Sequence, residues 1–273
     1  MQNAMLHAAG FAMGTANAVR HRIQGYVSPR PFSPADVDRT IKHTIDVVDR
    51  LEAHGGIDWR GQRVLELGPG SDLSTGAVIL SRGAAGYHAI DRFDNRYQAD
   101  RSLYEKLGKA LGSVVPEERL TFTQAGFPEL RVVGGKYDLI VSNATLEHIA
   151  EIPEVFRSLR RLAAPGGRMI HHVDGQTHMR WIKDVDPLNI LRYSEFTYNH
   201  LLMFPGAPNR LRADDYVDAA HSTGWTGVEV RGDVTANDRY LADARFAKPY
   251  RRVERLRLLT FTLVAELSAD AGV

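Results

Sequence analysis

The sequence predicts an α/β domain in which helices cover both faces of a largely parallel, doubly wound sheet. From residue 61 onward, short apolar runs alternate with segments of helical periodicity, the pattern of parallel strands joined by right-handed crossovers. The chain has 273 residues, 44% of them hydrophobic, which suffices for one sizeable core. It shows no repeat of fixed period, so solenoids and propellers are excluded.

Charge and composition narrow the possible partners. The 34 Lys and Arg residues nearly balance the 33 Asp and Glu residues, so no global field attracts nucleic acid or an anionic membrane. The absence of cysteine excludes a disulfide scaffold and a thiolate nucleophile. The longest uncharged stretch, residues 8–19, is too short to span a bilayer, and no basic residue precedes it as in a secretory signal. We expect a cytoplasmic protein with a small-molecule partner and neither a nucleic-acid nor a membrane partner.

Residues 1–60 are predicted to form an N-terminal helical cap, followed by one domain over 61–273. Apolar side chains recur at three- and four-residue spacing within Asp36–Ala53, which predicts a helix. Prolines in Ser28–Pro34 interrupt the helical pattern before it. The strands that follow are Arg63–Leu67, Gly86–Ile90, Leu120–Gln124, Tyr137–Ser142 and Arg168–Val173. The helices between them are Thr75–Arg82, Leu103–Leu111 and Ile152–Leu162, the last ended by Ala164-Pro165-Gly166-Gly167.

The alternation lapses over residues 175–211, a segment rich in aromatic residues. An unstructured connection of that length is unusual inside a compact domain, so we expect helices and a function there. Its aromatic residues, which suit either an acceptor pocket or a small core, are Trp181, Tyr193, Phe196, Tyr198 and Phe204. Beyond it come a helix at Ala213–Thr223, a strand at Gly227–Gly232, a helical stretch near Tyr240–Val253 and a strand at Leu258–Leu267. The last two strands are predicted to pair antiparallel.

The most informative segment is V-L-E-L-G-P-G-S at 64–71, where a strand enters a glycine turn. Gly68 and Gly70 allow positive φ and a close approach of the backbone to a ligand, although a plain tight turn would use them too. The N–H groups of the next helix then face the ligand. Leu73 replaces the third glycine of a dinucleotide fingerprint, and no Gly-Lys-Ser/Thr of a phosphate loop is present.

Two acidic residues at strand ends indicate the kind of ligand. Glu66 next to the turn would repel a pyrophosphate but suits an ammonium group. Asp91 ends the second strand, where a carboxylate can accept hydrogen bonds from both ribose hydroxyls, although it would also suit a helix N-cap. An amino acid joined to a nucleoside fits both residues, and S-adenosylmethionine has these two ends.

Four segments in order carry a resemblance to a known family: residues 64–71, Y-H-A-I-D at 87–91, Y-D-L-I-V-S-N-A-T-L-E-H-I at 137–149, and L-A-A-P-G-G-R-M-I at 162–170. The sequence resembles class I S-adenosylmethionine-dependent methyltransferases of the small-molecule type. The resemblance implies a Rossmann-like, seven-stranded sheet whose last strand is antiparallel. It also implies methyl transfer from the sulfonium of S-adenosylmethionine to a nucleophile.

The resemblance assigns cofactor roles by position. The methionine part would contact Glu66, Gly68, Pro69 and Gly70, and the ribose side would contact Asp91 and Arg92. Phe127 would flank the adenine, and Asn143 would form the floor of the site. Two departures stand out: Asp72 occupies the usual third glycine, and Ala125-Gly126-Phe127 lacks the acidic residue that often contacts adenine.

A hydroxyl acceptor must lose a proton, and a histidine is the usual base. The candidate catalytic residues are His148, His172 and Asp174, which follow or end the fourth and fifth strands. His148 equally suits a structural helix start, and strand alternation turns only one of His171 and His172 toward a pocket.

A divalent metal is possible but not favoured. Glu147, His148 and Glu151 partly match a divalent-ion site of quinone-type methyltransferases, but Ala144 stands where an acidic ligand is expected. Asp174 and His178 offer a second incomplete set, so solvated surface is the favoured interpretation.

The favoured function is O-directed methylation of a sugar or natural product, with residues 1–60 and 175–211 closing over the turn. The alternatives are a catalytically silent cofactor-binding partner subunit, an RNA or protein methyltransferase and, more distantly, an oxidoreductase. Near-neutral charge and the sequence Ser142-Asn143-Ala144-Thr145 after the fourth strand disfavour nucleic-acid bases as acceptors.

Overall fold

The computed structural model describes residues 2–25, 33, 35–96, 100–127, 130, 135–251 and 255–269. Within these ranges seven strands form one sheet in the order β3-β2-β1-β4-β5-β7-β6. The strands are β1 Arg63–Leu67, β2 Gly86–Asp91, β3 Leu120–Gln124, β4 Tyr137–Asn143, β5 Ala163–Asp174, β6 Thr226–Thr235 and β7 Leu258–Glu266. β1 to β5 pair in parallel, and β7 is antiparallel to both neighbours, which confirms the predicted fold.

The helices are α1 Gln2–Gln24, α2 Val37–Gly55, α3 Ser74–Ser81, α4 Leu103–Leu111, α5 Ile152–Leu162, α6 Arg180–Val185, α7 Glu195–Thr197, α8 Ala213–Ser222 and α9 Asp238–Asp243. α2 begins where the Asp36 side chain accepts a hydrogen bond from the Arg39 N–H, and it ends at Gly56, whose φ of 58° is left-handed.

Helices cover both faces of the sheet because neighbouring strand residues point to opposite sides. In β1, Val64 packs in the cluster that includes α2 and α3, whereas Leu65 packs in the cluster with α5 and α8. Both side chains are fully buried. The fold therefore leaves the carboxyl ends of β1, β2, β4 and β5 as the edge where a ligand would bind.

Two elements differ from their predicted bounds by more than three residues at one end. β5 begins at Ala163 because Ala163 pairs with Tyr137 and Arg168 with Leu139, and the residues between them form a bulge. The helical stretch predicted near 240–253 is interrupted, since Ala244 is extended after α9 and a 3₁₀ turn follows at Lys248–Tyr250. The proline-rich segment Ser28–Pro34 lies outside the described residues except Ser33, and part of that C-terminal stretch, 252–254, also lies outside them.

The segment 175–211 has helices of its own, as predicted, and also a small core. Tyr193 and Tyr198 are buried in that core, whereas Trp181 is 80% exposed and Phe196 69% exposed. The fifth aromatic residue, Phe204, stacks on His21 of α1 with ring centroids 4.4 Å apart.

A buried ion pair links this core to α1. Arg192 Nε donates to Asp186 Oδ2 at 2.6 Å, and both side chains are at most 2% exposed. The same guanidinium donates to Asn3 Oδ1 at 2.7 Å, and Tyr193 Oη donates to the carbonyl of His7 at 2.9 Å. α1 is therefore fixed to the 175–211 segment by directional contacts as well as by packing.

Among the residues that the structure places, no helix combines the length and apolarity needed to cross a bilayer.

Candidate active site

The glycine turn after β1 is held against the loop that follows β4. Gly68 and Gly70 have φ of 67° and 82°, and the Gly68 N–H donates to the carbonyl of Ile90 at 2.8 Å. Thr145 Oγ1 donates to the carbonyl of Leu67 at 3.1 Å. A Cβ at Gly68 would lie 2.5 Å from Thr145 Oγ1, so this glycine is required both by its φ and by the close approach.

Glu66 lies beneath the turn and is 3% exposed. Burial raises the pKa of its carboxyl to about 7, and the nearby Asp72 and Asp91 add to the rise, while the Tyr87 hydroxyl donates a hydrogen bond that opposes it. A cation bound against Glu66 would replace the solvation that the carboxylate loses. Asp72, where a third glycine is usual, has a structural role: it accepts hydrogen bonds from the backbone and hydroxyl of Ser74.

Asp91 connects the first two loops of the edge. Its Oδ1 accepts a hydrogen bond from the Phe93 N–H at 2.9 Å, and the backbone of Gly70 also contacts its carboxylate. Burial raises the pKa of Asp91 despite these hydrogen bonds. The Asp91 carbonyl accepts from the Ala125 N–H at 2.9 Å, which brings the loop after β3 to the same place.

Three other predicted cofactor residues surround this region. The Arg92 guanidinium lies 5.5 Å from the centre of the Phe93 ring, and the Arg92 carbonyl accepts from Gln124 at 3.2 Å. Phe127 is partly buried against the cluster of α5 and α8, and Pro69 is partly buried in the turn itself.

Asn143 ends β4 on the α2 side, where its Oδ1 accepts from Arg50 Nη1 at 3.2 Å. The next residue, Ala144, has φ of 52°, and its N–H donates to the carbonyl of His172 at 2.9 Å. A left-handed conformation at alanine costs about 1 kcal/mol or more and is often found at functional sites.

His172 and His171 point to opposite faces, as strand alternation predicts. His171 is fully buried with its Nδ1 2.8 Å from Ser142 Oγ. His172 Nδ1 lies 3.1 Å from Asp233 Oδ2 without the alignment of a hydrogen bond. His54 Nδ1 lies 3.2 Å from the other oxygen of Asp233. Burial alone would raise the pKa of Asp233, but His172, His54 and Arg50 together lower it. Asp233 is therefore an anion.

Glu147, His148 and His178 form a second group. Glu147 is 1% exposed, so the interpretation of this residue as solvated surface is wrong, whereas Glu151 is exposed as that interpretation requires. Burial raises the pKa of Glu147 to about 8, with Asp174 adding to the rise. Burial lowers the pKa of His148 to about 4, with His178 contributing, so this imidazole is neutral.

Asp174 lies beside this group and is bonded by a lysine. Lys183 Nζ donates to its Oδ2 at 2.7 Å, and His178 Nε2 lies 4.0 Å from the same oxygen. Burial alone would raise the pKa of Asp174, but Lys183 keeps it below its usual value. The structure thus brings His148 and Asp174 to one side of the edge and His172 to the other.

A family model described as a methyltransferase domain matches residues 37–230. The chain belongs to this methyltransferase family.

Similar proteins agree with this family assignment. A malonyl-[acyl-carrier protein] O-methyltransferase of Chlorobium phaeovibrioides is 29% identical over 121 residues, which is 44% of this chain and 43% of the relative's own length. An S-adenosylmethionine-dependent methyltransferase from Mesorhizobium loti superposes with a TM-score of 0.50 and 15% identity, covering 80% of this chain and 96% of that one. Phosphoethanolamine N-methyltransferase 2 of Haemonchus contortus, in complex with S-adenosyl-L-methionine, gives 0.53 and 16%, covering 83% and 52%. At these identities the two structures show the fold alone.

Several residues of the candidate site were not found from the sequence. Asp233 and His54 lie far from the recognisable motifs in the sequence. Arg50 cannot be distinguished from the other polar residues of its amphipathic helix. The register shift of β6 between Gly232 and Val234 is where Asp233 turns toward His172. No local pattern in the sequence indicates that bulge, whereas Thr145 could have been found because it lies within the segment 137–149, two residues after the end of β4.

Proposed function

We propose that the chain transfers a methyl group from S-adenosylmethionine to a hydroxyl oxygen of a small molecule. The observation that carries this proposal is the buried Glu66 carboxylate beneath a glycine turn, with the Asp91 carboxylate on the adjoining loop. A site with these two carboxylates suits a ligand with an ammonium group at one end and hydroxyls at the other.

Each part of the cofactor has a matching group. Glu66 accepts the ammonium, and Gly68 and Gly70, which have positive φ and no side chain, let the methionine part approach the turn closely. Asp91 accepts the ribose hydroxyls, beside Arg92, and Phe127 flanks the adenine. Pro69 shapes the turn and Asn143 lies beneath the sulfonium, with its amide oriented by Arg50.

The transfer is an in-line displacement at the methyl carbon. The acceptor oxygen forms a bond to the methyl group while the sulfonium bond breaks, leaving a neutral thioether, and the hydroxyl proton passes to a base. His172 suits this task because Asp233 lies 3.1 Å from its Nδ1 and leaves Nε2 to accept the proton. The loose alignment is typical of a site without substrate. Asp174, which lies on the side of His148, is bonded to Lys183 instead.

The acceptor side is formed by α1 and residues 175–211. Their contacts to each other hold α1 against the segment that follows β5, which supports a small-molecule acceptor bound between them and the glycine turn. The names of the relatives also support small acceptors or acyl carriers, and one of them is an O-methyltransferase.

The test combines cofactor binding with transfer. Calorimetry with S-adenosylhomocysteine should give one site, and S-adenosylmethionine carrying a labelled methyl group should label members of sugar and phenol panels, with mass spectrometry locating the methyl on oxygen. Cofactor binding without any labelled acceptor across these panels would favour the silent partner subunit, and label on nitrogen would contradict the proposed acceptor atom. Absence of cofactor binding would remove the proposal as a whole.

Cofactor affinity should depend on pH through Glu66. Its pKa of about 7 in the free protein means that the carboxyl is half protonated at neutral pH, and binding an ammonium requires the carboxylate. Affinity for S-adenosylhomocysteine should therefore fall about tenfold from about pH 8 to about pH 6. Glu66→Gln should bind more weakly at every pH and show a flat dependence over this range. A wild-type profile as flat as that of Glu66→Gln would contradict the assignment.

A further inference from the structure

We infer that Glu147, His148 and His178 bind one divalent transition-metal ion. Binding of the ion does not depend on the proposed function. Its use in orienting an acceptor oxygen does rest on that function.

Two separate segments bring the three side chains together. Glu147 and His148 lie in the 3₁₀ turn Leu146–His148 after β4, and His178 lies in the loop between β5 and α6. One ligand atom from each lies within 4.8 Å of the other two, and the imidazole centroids are 4.9 Å apart at an interplanar angle of 64°. Among the residues that the structure describes, these three side chains form the group of His and acidic residues whose ligand atoms lie close enough together to hold an ion.

The group contains buried polar atoms that no protein group satisfies. One oxygen of Glu147 accepts from the Asp174 N–H at 3.2 Å, but its Oε2 has no hydrogen-bond partner in the described parts of the chain. His148 Nδ1 is also buried without a partner. Unsatisfied buried polar atoms cost about 1 to 3 kcal/mol each, so they are rare unless a ligand completes them. A cation coordinated by the carboxylate would satisfy Glu147 Oε2.

Binding an ion requires the ligand atoms to move closer together. Two atoms that ligate the same ion at about 2.1 Å in a tetrahedral site are about 3.4 Å apart, so a pair separated by 4.8 Å must approach by about 1.4 Å. His178 can supply this movement because its side chain is 21% exposed and lies in a loop. Asp174, at 4.0 Å from His178 Nε2, then acts as a carboxylate that orients a ligand imidazole.

The donor atoms determine the class of ion. Two imidazoles and one carboxylate suit Zn²⁺, Mn²⁺ or Co²⁺ better than Mg²⁺ or Ca²⁺, which prefer oxygen ligands. A bound ion would displace the proton of Glu147, and the two carboxylates of Glu147 and Asp174, less the one positive charge of Lys183, would then offset part of the charge of a divalent ion. Three protein ligands leave a position where an acceptor oxygen can bind.

The proposal predicts saturable binding of Co²⁺ used as a probe. Chelator-treated full-length protein should bind one Co²⁺ with visible d–d absorption bands, and calorimetry with Mn²⁺ or Zn²⁺ should give the same stoichiometry. His178→Ala and Glu147→Gln should each weaken binding about 100-fold or more, because each removes one of three ligands. Glu151→Gln and His200→Ala alter exposed side chains outside the group and should leave the affinity unchanged.

Folding and cofactor binding are checked on the same preparations. Each variant should keep its far-UV circular dichroism and its affinity for S-adenosylhomocysteine, which is bound by other residues. Wild-type protein that shows no saturable Co²⁺ binding would overturn the metal site, as would equal affinity in wild type, His178→Ala and Glu147→Gln. If S-adenosylhomocysteine still binds in that case, the proposed function stands and the metal site is wrong. If the metal binds but S-adenosylhomocysteine does not, the metal site stands and the proposed function is wrong.

Discussion

His172→Gln should lower kcat by about 10²-fold to 10⁴-fold, the usual contribution of a general base. Glutamine keeps the approximate shape of the side chain but cannot take the acceptor proton. Because His172 lies outside the predicted cofactor contacts, affinity for S-adenosylhomocysteine should stay within about twofold. The measurement is steady-state kinetics with an acceptor found in the labelled panel, accompanied by calorimetry.

Asp233→Asn tests the positioning of His172 separately. The amide keeps the size of the side chain but removes the anion 3.1 Å from His172 Nδ1, so kcat should fall while KM changes little, and the pH dependence of kcat should change shape. His221→Gln, at an exposed position on α8, is the matched control and should behave as wild type. If His148→Gln abolishes turnover while His172→Gln does not, the base lies on the opposite side of the edge.

Gly68→Ala should eliminate measurable cofactor binding, with a loss of affinity of about 100-fold or more, corresponding to at least about 2.7 kcal/mol. The added Cβ would lie 2.5 Å from Thr145 Oγ1 and 2.6 Å from Thr145 Cγ2, so the turn or the β4 loop must move. The φ of 67° adds the penalty of a left-handed alanine, about 1 to 2 kcal/mol.

Gly61→Ala separates these two causes. Gly61 has φ of 74°, close to that of Gly68, but nothing lies within 4 Å of an added Cβ. This control should therefore lower the melting temperature by a few degrees, in proportion to about 1 kcal/mol, and leave cofactor affinity unchanged. Equal effects of the two substitutions on affinity would show that the contact with Thr145 is unimportant.

The fold could be predicted because its signals are local. A short apolar run before Gly68 and another before Asp91 mark strand ends directly, and the order of such signals fixes a parallel sheet. β5 was predicted too short because Pro165 and the two glycines after it normally end an element, whereas pairing with β4 across a bulge keeps them in the strand.

The site was predictable only in part, for a physical reason. Glu66, Gly68 and Asp91 are fixed by the ends of β1 and β2, so their neighbourhood follows from the topology. The partners of the histidines do not, because Asp233 reaches His172 through an irregularity of β6 and His178 reaches His148 through an insertion. Burial of Glu147 likewise depends on the packing of residues distant in sequence, including Asn209, whose N–H donates to the Glu147 carbonyl.

The packing of α1 has an evolutionary consequence. A Cβ at Gly10 would lie 2.1 Å from Asn189 Oδ1 and 2.5 Å from the Tyr193 hydroxyl, so positions 10 and 189 share one small volume although most of the chain separates them. In homologues a larger residue at one position would be compatible only with a smaller residue at the other. The residue types at the two positions are therefore expected to covary among homologues. Substitutions in α1 and in the segment 175–211 would then constrain each other.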